Sequence, residues 1–192
     1  KNIFVGEGAG NFTMGSGATQ TYQSSNNVGI GYTAMSANTT GENNVGIGSY
    51  VLKFNTTGHS NTAIGKGSMN LNTTGFGNIA VGVNALYTNT TGYYNIAVGN
   101  NALKSNVDGV YNVAVGYDAL KLNTTGFWNV SIGRGSLLNN TTGNYNVSIG
   151  SENLNSLISG VTNTSVGHYA LRQLIDGTNN TAIGHAAGRY YG

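Results

Sequence analysis

The chain repeats itself with a strict period of seventeen, and that register limits the folds open to it more than any other feature. The string Asn-x-small-Ile/Val-Gly starts at Asn27, Asn44, Asn61, Asn78, Asn95, Asn112, Asn129, Asn146, Asn163 and Asn180, with no insertion between copies. An earlier copy begins at Asn2, far enough ahead of Asn27 that the first unit carries eight extra residues. A unit reads N-[VIT]-[AGS]-[VI]-G-x-x-[AS]-[LM]-x-x-N-T-T-G-x-x, and 78–94 is a near-consensus copy. Positions 1 to 17 below are counted from the leading Asn. The register divides the chain into an irregular first coil (1–26), nine regular coils (27–179) and a partial last coil (180–192).

Such a unit is too short for a helix pair, which takes about 34 residues in helical repeat proteins. Within the first five positions the second and fourth are apolar, as in Asn95-Ile96-Ala97-Val98-Gly99, which is the alternation of a short strand. Hydrophobicity then assigns the core to position 4: Ile30, Ile47, Ile64, Val81, Val98, Val115, Ile132, Ile149, Val166 and Ile183. A second apolar pair follows, as in Ala102-Leu103, and reads as a second short strand. The Asn-Thr-Thr-Gly ending reads as a type I turn. Strand, corner, strand, turn make one coil of an all-β parallel solenoid, whose stacked Asn side chains can form amide ladders.

Composition agrees with stacked coils. Gly fills 31 of 192 positions without the third-residue period of collagen. The absence of Pro suits ladders in which nearly every amide pairs, and the absence of Cys excludes disulfide staples. A net charge of +2 gives no steering toward nucleic acid, and no apolar run approaches the roughly 20 residues of a membrane-spanning helix.

Position 3 never holds a large side chain: Gly29, Gly46, Ala63, Ala80, Ala97, Ala114, Ser131, Ser148, Ser165 and Ala182. With positions 2 and 4 assigned to the core, position 3 faces away, and an ordinary solvent face would sample Lys, Glu and Gln. Close approach of an identical chain accounts for the restriction, making this column the expected oligomer interface; crowding inside the monomer is the alternative.

The units, for example Asn61-Thr62-Ala63-Ile64-Gly65-Lys66-Gly67-Ser68, resemble the head repeats of trimeric autotransporter adhesins (YadA-like). With its Asn-Thr-Thr-Gly ending, the longer cycle also resembles repeats of phage tail-fibre proteins. The resemblance runs from Asn2 to Gly188 and implies a left-handed parallel β-roll assembled as a parallel homotrimer. Two departures stand out: the adhesin unit is shorter than the unit in this chain, and the chain shows no coiled-coil stalk or membrane anchor. The chain begins at Lys1 inside one repeat and stops inside another, and Gly6-Glu7-Gly8-Ala9-Gly10 echoes Gly184-His185-Ala186-Ala187-Gly188. We therefore expect the shaft of a longer fibre, or a subunit that stacks end to end.

No catalytic pattern emerges. The acids Glu7, Glu42, Asp108, Asp118, Glu152 and Asp176 fall in different columns and coils, and no metal-ligand spacing is present. His168 and His185 share position 6 and read as solvated. Lys53, Lys104, Lys121 and Arg172 share position 10, a mild basic stripe on an outer face. Position 17 carries Tyr94, Tyr111, Trp128 and Tyr145 on consecutive coils, with Tyr93 and Phe127 beside it, a column suited to chain–chain contact or to glycan binding. The Asn-Thr-Thr turns also match glycosylation acceptors, and their Thr columns raise ice binding as a distant third class. The sequence reading is thus a non-enzymatic extracellular fibre, on a cell surface or a virion. It is structural first and adhesive second, needs no cofactor, and has itself and cell-surface glycans or matrix as partners.

Overall fold

A computed structural model describes residues 1–10 and 24–188. Each unit contributes one three-residue strand: β1 (Ile3–Val5), β2 (Val28–Ile30), β3 (Val45–Ile47), β4 (Thr62–Ile64), β5 (Ile79–Val81), β6 (Ile96–Val98), β7 (Val113–Val115), β8 (Val130–Ile132), β9 (Val147–Ile149), β10 (Thr164–Val166) and β11 (Thr181–Ile183). They form a single parallel sheet in chain order. Equivalent positions pair, as in Ile96↔Val113 and Val98↔Val115, so the sequence period is the structural period. Across the longer first unit the same register holds, Ile3 pairing with Val28. The stretch that accommodates the eight extra residues includes 11–23, which lies outside the described residues. The chain is an all-β parallel solenoid.

The coil is turned inside out relative to the hydrophobic reading. Position 3 points inward: Ala63, Ala80, Ala97, Ala114, Ser131, Ser148 and Ser165 are fully buried, Ala182 nearly so, and Gly29 and Gly46 are buried with them. Position 4 points outward: Ile30, Ile47, Ile64, Val98, Ile132, Ile149 and Ile183 are exposed, and Val81, Val115 and Val166 are only half-buried. The core is built instead from positions 1, 3, 8, 9 and 12, which in one coil are Asn95, Ala97, Ala102, Leu103 and Asn106. The reason is geometric. The long remainder of each coil closes over a strand of only three residues, and the Leu or Met at position 9 fills the narrow interior. A Cβ added to Gly46 would sit 2.9 Å from Met35 Cε and 3.2 Å from Val51 Cγ1. Crowding inside the monomer, not a neighbouring chain, keeps position 3 small.

The expected second strand is absent. Its residues alternate into the left-handed region, Asn101 at φ 56° and Leu103 at φ 50°, and the pattern recurs from coil to coil. This backbone costs a non-glycine residue about 1–2 kcal/mol, yet it turns position 9 inward. It still bonds between coils: Leu103 N–H donates to Ala119 O at 3.0 Å and Asn101 N–H to Val83 O at 2.9 Å.

Nor is Asn-Thr-Thr-Gly a self-contained turn. The N–H groups of Thr73, Thr74 and Gly75 all point at Thr90 O in the next coil, at 3.0–3.1 Å, and Thr73 Oγ1 donates to the same oxygen at 3.0 Å. The leading Asn turns inside, where two amide ladders run along the rod. At position 1, Asn78 N and Nδ2 donate to Asn61 Oδ1 at 3.0 and 3.2 Å. At position 12, Asn89 Nδ2 donates to Asn72 Oδ1 at 2.8 Å. Both ladders converge on one carbonyl: Gly92 O accepts from Asn78 Nδ2 and Asn89 Nδ2, each at 2.9 Å. Such buried amides are tolerable only because they are paired. The position-12 ladder stops at Asn140, since Leu157 and Leu174 occupy the next two places, and Asn140 Oδ1 is left buried without a partner.

Position 5 needs glycine for two reasons. Gly99 has φ 136°, a region essentially closed to other residues, and a Cβ there would collide with Gly116 O.

Candidate functional surfaces

Three surfaces follow from this arrangement. The first is the outer face of the sheet. Each strand β1–β11 presents positions 2 and 4 outward, and these are Val or Ile throughout except for Thr62, Thr164 and Thr181. No charge interrupts the face. Eleven strands about 4.8 Å apart and about 10 Å wide give a largely apolar strip of roughly 500 Å². Soluble monomers rarely expose contiguous apolar patches beyond about 300–600 Å². The position-4 residues proposed from sequence as core thus lie on the outer face, exposed or half-buried, and the position-3 residues proposed as an interface lie inside.

The second surface is aromatic. His59, Phe76 and Tyr93 at position 16 stack nearly parallel, with centroids 5.0 and 4.9 Å apart and ring planes within 14°. At position 17, Tyr94, Tyr111 and Trp128 continue the column, Tyr111 lying 4.5 Å from Trp128 at 14°. Tyr93 meets Tyr94 and Tyr111 edge-on, and Phe127 meets Tyr145 the same way. All six aromatics singled out from sequence therefore take part in ring contacts. Each ring therefore already packs on at least one neighbour, stacked or edge-on. That geometry favours a structural ladder over a platform for sugars, while Tyr94, Trp128 and Tyr145 remain about half exposed beside the strand.

The third surface is the wall of positions 6, 7, 10 and 11, where the sequence varies most. It carries two clefts, one around Gly67 and one around Gly135. Position 7 has a side chain in the other regular coils, for example Tyr50, Asn84, Asn101 and Glu152, and each cleft opens where that side chain is missing. Sequence reading overlooked these sites, although two glycines in an otherwise substituted column were a visible signal. The basic stripe on this wall is uneven. Lys121 pairs with Asp118 at 3.1 Å, and Glu152 holds both Arg134 at 3.4 Å and Arg172 at 2.8 Å.

The remaining chemistry is sparse. His168 stacks on Tyr169 at 3.7 Å and lies 5.5 Å from His185. Among the described residues no group of three or more His, Asp or Glu could hold a metal, and no helix is long and apolar enough to cross a membrane. The Asn-Thr-Thr amides, Asn38 through Asn140, are buried and bonded inside the rod, so glycans on them are incompatible with this fold. The position-13 Thr hydroxyls donate to carbonyls of the next coil, as Thr56 Oγ1 does to Thr73 O at 3.0 Å, so their hydrogens are used within the rod. Neither a protein-family model nor a curated protein or solved structure matches the chain.

Proposed function

We propose that this solenoid is a segment of an extracellular fibre, on a cell surface or a virion, in which parallel copies of the chain associate through their Val/Ile faces. The supporting observation is the uncharged, Val/Ile-dominated strip on the outside of the sheet. At roughly 500 Å² it lies at the upper end of what soluble monomers expose, where such patches are often functional, and the coil's own core does not use it. A strip of roughly 500 Å² is smaller than the about 800 Å² per partner of a typical stable complex. The half-exposed Tyr94, Trp128 and Tyr145 at the strip's edge enlarge the surface each chain can bury. Three rods about one axis also let every copy use the same face and close the assembly. Its role is mechanical: a stiff rod that projects and repeats weak surface contacts, so that avidity replaces a single deep site. Catalysis has no part in this reading.

The absence of cysteine gives a clean test. In a parallel, in-register assembly a Val98→Cys variant meets its own equivalent across the axis and forms disulfide-linked dimers under mild oxidation. A Thr91→Cys variant, exposed but outside the strand face, stays monomeric on a denaturing gel. Equal cross-linking at both positions, or none at Val98→Cys, would contradict the proposal.

A further inference from the structure

The wall of positions 6, 7, 10 and 11 carries a site that does not depend on how the rods associate. The cleft around Gly67 has a volume of about 470 Å³ and crosses three successive coils. Tyr50, Lys53 and Phe54 come from the first, Lys66 and Gly67 from the second, and Tyr87 from the third. Its size falls in the range of about 300–1,000 Å³ typical of small-ligand sites. Lys53 Nζ lies 4.9 Å from the centre of the Phe54 ring and 5.6 Å from that of Tyr50, held over aromatic surface rather than by an acid. Neither Lys53 nor Lys66 forms an ion pair among the described residues, and no lining residue is acidic.

The repeat supplies its own control. Four coils further on, the same positions form the cleft around Gly135, with Arg134 in place of Lys66, Asp118 in place of Tyr50 and Glu152 in place of Asn84. There the cations are neutralised and the volume falls to about 190 Å³. One backbone therefore carries two versions of a cleft, and only the first combines unpaired cations with aromatic walls.

From this juxtaposition we infer that the Gly67 cleft binds an anionic saccharide, a carboxylated or sulfated sugar unit. The charged group sits between Lys53 and Lys66, and the apolar face of the ring lies against the walls formed by Tyr50, Phe54 and Tyr87. A bare anion would use the lysines and gain nothing from the aromatic walls beyond their hold on Lys53. A neutral sugar would use the rings and leave two cations unpaired. An acidic sugar uses both.

Gly67→Asn fills the cleft with a residue that already stands at position 7 as Asn84 and Asn101 and tolerates the left-handed backbone. The added Cβ meets the Asn84 side-chain amide, which can move aside. Calorimetric titration of the wild-type chain at low salt with trigalacturonate, a sulfated heparin disaccharide, neutral galactotriose and inorganic sulfate separates the sources of affinity. One or both acidic saccharides bind at least about tenfold more tightly than galactotriose and sulfate, equivalent to one charge-assisted hydrogen bond. Lys53→Gln/Lys66→Gln and Gly67→Asn each lose that preference while keeping the circular dichroism spectrum, and Gly135→Asn changes nothing. Equal binding of galactotriose, equal binding of free sulfate, no binding at all, or acidic-sugar binding that survives both Gly67→Asn and the double lysine variant would overturn the inference.

Discussion

Ala97 and Val98 are neighbours on one strand, and their surroundings are opposite. Ala97 is sealed inside the coil; Val98 is more than a third exposed. The smaller residue is constrained by space; the larger meets no such constraint inside the coil, and on the proposal above it is kept apolar by a neighbouring copy. Uniformity in a column therefore has two distinct causes in this rod: position 3 stays small because Leu103 and its equivalents occupy the interior, whereas position 4 stays Val or Ile although nothing within the chain requires it. The variable wall of positions 6, 7 and 10 is under neither constraint, and there the clefts open.

The same substitution at both neighbours should break this comparison most visibly. Ala97→Asp places an unpaired carboxylate in a dry core and should abolish folding, at a cost of at least about 4 kcal/mol; circular dichroism will show loss of the β signal. Within the interior, Asn95→Ala removes the partner of the Asn112 N–H and Nδ2 and empties a donor site on Gly109 O. Thermal unfolding should report a loss of about 2–4 kcal/mol, from bonds at about 1–3 kcal/mol for each orphaned group.

A finer comparison separates the middle of the position-12 ladder from its end. Asn106→Leu orphans Asn89 Oδ1 and removes one acceptor from Asn123 Nδ2, and should cost about 1–3 kcal/mol. Asn140→Leu only moves an existing orphan from Asn140 Oδ1 back to Asn123 Oδ1, and denaturant melts should show a loss below about 1 kcal/mol. Last comes Val98→Asp, an exposed change that should leave the unfolding of the separated chain within about 0.5 kcal/mol of wild type.

Much of the fold was legible in the sequence, because a strict register can only mean stacked equivalents. The parallel order, the position-1 Asn ladder and the β1–β2 pairing across the longer first unit all follow from it. Which face of the strand points inward was not legible. Hydrophobicity normally settles that question, and here the strand's Val and Ile residues lie outside while its Ala and Ser residues share the interior with position-9 Leu or Met and with amides that satisfy one another. The left-handed backbone at position 9 left no trace either, since Leu has no preference for it. At position 7 the trace was present in Asn84, Asn101, Asp118, Gly67 and Gly135, residues that accept positive φ, and it was also the signal for the clefts. For the six aromatics the column was readable from spacing, but the stacking was not, because it depends on ring orientation.

The central claim is that the Val/Ile strip is covered by further copies of the chain, and mass in solution tests it most directly. Light scattering on the purified 19.8 kDa chain should give an integral multiple of the monomer mass, three on the reading above, and Val98→Asp combined with Val115→Asp should return the value to one while the β signal persists. A wild-type chain that scatters as a stable, soluble monomer across the accessible concentration range would contradict the account.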